Sequence, residues 1–127
     1  MKAPEKVIEG ELATFWFDES GILCANGKSI ARDLDMQKRN FALIREISAG
    51  KKICLLSDNT QSQAQDKATR DYTTKELPRL FKAMAIISNS ALGLYSVKIF
   101  TNFNQQPIPI QFFDTEEEAK AWLRTYL

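Results

Sequence analysis

The chain has 127 residues, 44% hydrophobic and 26% charged, with 17 basic and 16 acidic side chains and no histidine. This fits one globular domain that can bury a core without metals or disulfides. A net charge of +1 supplies neither the basic stripe of a dedicated nucleic-acid binder nor a strong field for an acidic partner. Without histidine the commonest neutral-pH base and metal ligand is missing, and Ser-His and Cys-His nucleophile pairs cannot form within the chain.

The N-terminus, "MKAPEKVIEGE", has no apolar centre, so it does not read as a signal peptide. No apolar run approaches a membrane span. The expectation is a single cytoplasmic domain over residues 1–127, with residues 1–10 as a loose leading segment. "ELATFWF", Glu11 to Phe17, is β-branched and aromatic and predicts a strand. Phe15, Trp16 and Phe17 are consecutive and point to alternating faces, which suits core packing better than a base-stacking platform. "DESG" predicts a turn and "ILCAN" a second strand, together a hairpin, and Asn26 and Gly27 close that second strand in another turn. Asp33 is placed to cap a helix over Leu34 to Ala49, with Met36, Leu43, Ile44 and Ile47 on one face and Gly50 as its stop.

"KICLL" is continuously apolar and predicts a central strand. It gives way at Ser57 to an irregular polar loop, and a helix is expected from Asp66 to Tyr72. Thr73 and Glu76 have the spacing of a capping box, and Pro78 disfavours an unbroken helix. A break between two helical pieces is therefore expected. "KAMAIIS" predicts the next strand. Ser90 to Phe103 predicts a helix apolar nearly all round, and Pro107 and Pro109 then force extended chain. Ile110 to Phe113 follows as a strand entering at a sheet edge. Thr115 and Glu118 form a capping box, and Glu116 to Glu118 set negative charge at the positive end of a helix carrying Ala119, Trp122, Leu123 and Tyr126.

The order is β-β-α-β-α-β-α-β-α: an α/β fold with a mostly parallel five-stranded sheet, an N-terminal hairpin and about four helices. With "NFALIREISAGKKICLLSD", "FKAMAIISNS" and "PIPIQFFDTEEEAKAWL", this order resembles the SpoIIAA-like fold of STAS domains, the anti-sigma-factor antagonists, and of related CRAL-TRIO-type lipid-binding domains. It is similar to small STAS-like bacterial proteins. The resemblance spans nearly the whole chain and includes no catalytic signature. In anti-sigma-factor antagonists a serine in a "DSSG"-type turn at the start of the second helix is phosphorylated by a partner kinase. The corresponding place here is "DKAT", Asp66 to Thr69. Lys67 and Ala68 stand for the serines and Thr69 for the glycine, so the switch motif is not preserved.

Two sites are therefore expected. The first is the loop and helix start carrying Ser57, Asp58, Thr60, Ser62, Asp66 and Thr69. Its hydroxyls would contact a protein partner or accept phosphate, and its two aspartates would organise the turn. The second is the apolar surface of Leu92, Tyr95, Ile99 and Phe103, facing a homodimer mate or, as the CRAL-TRIO-type resemblance implies, an apolar ligand or lipid. Asp58, Asp66, Asp71 and Tyr72 have no spacing that sets two carboxylates across a cleft, and "ESG" and "ANG" are turns rather than phosphate loops. Cys24 and Cys54 sit in apolar strands as buried reduced thiols. The expectation is a non-enzymatic interaction module with an unnamed protein partner, no cofactor, no metal and no nucleic acid.

Overall fold

The computed structural model describes residues 1–61, 63, 65–87 and 108–127. Six strands form one sheet in the order β1 (Ile8–Glu9), β2 (Ala13–Phe17), β3 (Leu23–Gly27), β4 (Ile53–Asp58), β5 (Phe81–Ile87), β6 (Ile110–Phe113). The helices among the described residues are α1 (Leu34–Ile47), α2 (Lys67–Leu80) and α3 (Glu116–Arg124). β1, β2 and β3 pair antiparallel, whereas β3 to β6 pair parallel. The expected five-stranded, mostly parallel sheet is thus a six-stranded mixed one. β4 lies between β3 and β5, and β6 is an edge, both as the sequence predicts. The predicted helix from Ser90 to Phe103 falls outside the described residues.

The additional strand lies in the leading segment, where Ile8 pairs with Phe15 and Glu9 with Thr14. Two residues are too few to show an alternating pattern, so sequence periodicity cannot find it. Gly10 makes the approach fit: a Cβ there would lie 3.0 Å from the Ala13 carbonyl oxygen and 3.1 Å from Leu43 and Phe15 side-chain carbons. The hairpin turn is fixed by Asp18, whose Oδ1 accepts from the backbone N–H of Ser20 at 2.8 Å and of Ile22 at 2.9 Å.

Alternation along the strands separates two cores. Phe15, Leu23, Ala25 and Leu55 face α1 and α2, where they meet Phe41, Ile44, Leu77 and Leu80. Trp16, Cys24, Cys54 and Leu56 face α3 and meet Ala119 and Leu123. A register shift between Ile53 and Cys54 pairs Ile53 with Phe81 but Cys54 with Ala83. The extra residue, Lys82, bulges outward, so Phe81 belongs to the first core and Ala83 to the second.

α2 is one helix where the sequence predicts a break. Thr73 does not cap a new piece, because its hydroxyl donates to the Thr69 carbonyl oxygen at 2.8 Å and accepts from Gln37 Nε2 at 2.9 Å. Glu76 is drawn away from capping by ion pairs with Arg45 and Arg79. Pro78 sits in the last turn, where little helix remains to be disrupted. α1 stops two residues earlier than predicted, with Ser48 as its cap. Ala49 then takes a left-handed φ of 55°, immediately before Gly50 at 75°.

Two stability measurements follow. Ala49→Gly relieves an alanine held in the left-handed region and should raise thermal stability by up to ~1 kcal/mol, despite the freer unfolded chain. Leu123 is fully buried, while Trp122 is only partly buried, between Phe113 and Tyr126. In denaturant titrations Leu123→Ala should cost about 2–5 kcal/mol and Trp122→Ala less, reversing the usual order of Leu and Trp truncations.

Candidate functional site

The parallel strands β3, β4 and β5 end side by side, with Asn26 opposite Asp58 and Asp58 opposite Ile87. In open α/β sheets the carboxyl ends of parallel strands are the usual place for a site. The irregular loop that leads to α2 begins here. Asn59 ties its first residue to β5 through an N–H bond to the Ile87 carbonyl oxygen at 2.8 Å.

Asp58 organises this corner. Its Oδ1 accepts from the Thr60 N–H at 3.0 Å and from the Thr60 hydroxyl at 2.8 Å. Its Oδ2 accepts from the Met1 α-ammonium at 2.6 Å, and the Met1 carbonyl oxygen accepts from Asn26 Nδ2 at 2.8 Å. Burial pushes the Asp58 carboxyl up, but the Met1 ammonium and the two Thr60 bonds outweigh it and hold the group below its ordinary value of 3.8. The Ser57 hydroxyl donates to Asn59 Oδ1 at 2.7 Å. A phosphate on Thr60 would stand against the Asp58 carboxylate, an arrangement that like-charge repulsion opposes.

At the other end of the loop, Asp66 caps α2 by accepting from the Thr69 N–H at 2.8 Å. A bond from the Thr69 side chain, and after it this backbone bond, lower the Asp66 carboxyl below its ordinary value. The structure therefore brings Ser57, Asp58 and Thr60 together at the strand ends and sets Asp66 at the helix start. Thr69 stands in the first turn of α2, bonded to Asp66 but 0% exposed, so it offers no surface to a partner. Ser62 lies outside the described residues, as do Leu92, Tyr95, Ile99 and Phe103. Sequence reasoning did not reach Asn59, Asn26 or Met1. The "SDNT" run carried a turn signal that includes Asn59, but nothing local could pair residue 1 with residue 58.

Cys24 and Cys54 are buried free thiols, and burial pushes Cys24 up to about 12. They lie on neighbouring strands in the α3-facing core, where Cys54 Sγ is 3.8 Å from the Leu123 carbonyl oxygen. Among the described residues, no group of three His, Cys, Asp or Glu side chains is placed to hold a metal ion. No helix among them is long and apolar enough to cross a membrane.

The chain belongs to a family of domains of unknown function, DUF7793, whose profile matches residues 15–127. Its structure is similar to the crystal structure of an uncharacterized protein of the DUF3478 family, with a SpoIIAA-like fold, from Shewanella loihica PV-4. The two are 18% identical with a TM-score of 0.64, over 97% of this chain and 99% of that one. The shared property is the fold, so the SpoIIAA-like architecture that the sequence resembles is the one the chain adopts. No curated protein matches the chain.

The Asp58 contacts set a pH signature. The folded state favours the ionised carboxylate, so its contribution is complete above the unfolded value of 3.8 and is lost as pH falls through the lower folded value. Asp58→Asn should therefore destabilise the protein by about 1–3 kcal/mol at neutral pH. In denaturant titrations across pH, that difference should shrink below pH 3.8.

Proposed function

We propose that this SpoIIAA-like domain is a non-enzymatic protein-interaction module in bacterial regulation, and that it meets its partner with the loop from Ser57 to Asp66 and the start of α2. The observation carrying this reading is the ordered corner at the carboxyl ends of β3 and β4. There Asp58 holds Thr60 by both its N–H and its hydroxyl, while Ser57 and Asn59 pair beside them. A preorganised polar loop costs a partner little ordering entropy on binding. The absence of histidine and the raised, buried Cys24 thiol also support a binding role over catalysis, since neither thiol is poised as a nucleophile.

Direct contact is favoured over a phosphoryl switch. The Thr60 hydroxyl already faces a carboxylate, and the "DKAT" turn has no serine. The alternative of a CRAL-TRIO-type apolar-ligand protein rests on Leu92, Tyr95, Ile99 and Phe103, and no contact in the described residues favours it.

Affinity capture with matched variants tests the proposal. Gln61 is exposed within the loop and Glu117 is exposed on α3, so Gln61→Trp alters the proposed contact and Glu117→Trp serves as a control on the far face. A partner retained by wild type and Glu117→Trp but lost by Gln61→Trp is the expected result. Equal retention by all three would remove the loop from the interface. Intact-mass analysis of the same preparations should show no phosphate on Ser57, Thr60 or Ser62.

A further inference from the structure

The contact between α1 and α2 is built differently from the rest of the molecule. The buried residues of α2 are Thr69, Thr73, Glu76, Leu77 and Leu80. Its fully apolar anchors are thus confined to the last turn, and the first two turns rest on threonines. Tyr72 adds a half-buried ring stacked 5.8 Å from Phe41. Opposite the threonines, α1 presents Gln37, only 3% exposed.

The seam is incompletely satisfied. Gln37 Nε2 donates to Thr73 Oγ1 at 2.9 Å, but Gln37 Oε1 is buried without a hydrogen-bond partner among the described residues. Lifting the first turns of α2 would return that oxygen to water and regain the hydration that burial denies it. The helix also has a natural parting line. Pro78 has no N–H to donate back to the Thr74 carbonyl oxygen, so the ladder lacks a bond between the polar turns and the Leu77–Leu80 anchor.

We infer that the first turns of α2, residues 67–74, are a latch that lifts from α1 while the sheet and α3 stay folded. The latch continues directly from the Ser57–Asp66 loop, so its opening changes how that loop is presented. Its regulatory meaning rests on the proposed role of that loop as a contact surface. A partner that binds the lifted form better than the closed one shifts the population toward it.

Native-state hydrogen exchange on the protein alone tests the latch. Backbone amides of residues 71–75 should exchange at least ~10-fold faster than those of Cys54 to Leu56 in β4, with little dependence on low denaturant, as local opening requires. Gln37→Met removes the unpartnered oxygen at similar size and should slow exchange of those amides ~3-fold or more. Thr73→Val takes away the acceptor of Gln37 and should speed it by a similar factor. The latch is overturned if residues 71–75 exchange only with global unfolding, or if Gln37→Met and Thr73→Val shift the rate in the same direction. No partner enters this experiment, so its failure leaves the loop-contact proposal standing, and loss of that proposal leaves the latch standing.

Discussion

Side-chain alternation along β2, β3 and β4 is the constraint on which both helical layers depend. Phe15, Leu23, Ala25 and Leu55 supply one core, and their immediate neighbours Trp16, Cys24, Cys54 and Leu56 supply the other. A slip of one residue would send each set into the wrong layer. The β5 bulge at Lys82 is a local exception among the described strands, and it keeps Phe81 and Ala83 with the helices that each can pack against. The carboxyl ends of β3 and β4 are in register because both cores fix it, and that places Asn26 beside Asp58.

The two layers are held by different chemistry. Under α3 the contact is apolar, with Ala119 and Leu123 fully buried and the Phe113–Trp122–Tyr126 rings at its margin. Between α1 and α2 it is largely polar, running from Gln37 and Thr73 to the Arg45–Glu76 ion pair. Apolar contact is non-directional and tolerates small shifts, whereas a buried polar contact is costly when half made. The sheet and α3 thus form the firm part of the molecule, and the candidate site is attached to the less firmly held helix.

Much of this was legible in the sequence where one local rule sufficed. The Asp33 and Thr115 caps, the Asp18 turn, the central position of β4 and the edge position of β6 follow from side-chain oxygens, glycine, proline and continuous apolarity. Features set by distant residues were not legible. Thr73 has the spacing of a cap, but Gln37, 36 positions away, holds it inside a continuous helix. β1 depends on the fit of Gly10 against Leu43, and the Lys82 bulge on the register with Ile53. In the candidate site, Asp58, Thr60 and Asp66 announced a turn and a cap through their own side chains. The burial of Thr69 and the contact of Met1 with Asp58 belong to the tertiary fold.

The placement of the two cysteines divides the molecule into a half that thiol chemistry can see and a half that it cannot. Both lie in the core under α3 and neither touches the face beneath α1 and α2. They are the only thiols in the chain. A thiol-reactive label therefore reports opening of the core under α3, and events confined to the opposite layer leave both sulfurs dark. The chain carries a native reporter for loss of its firm half.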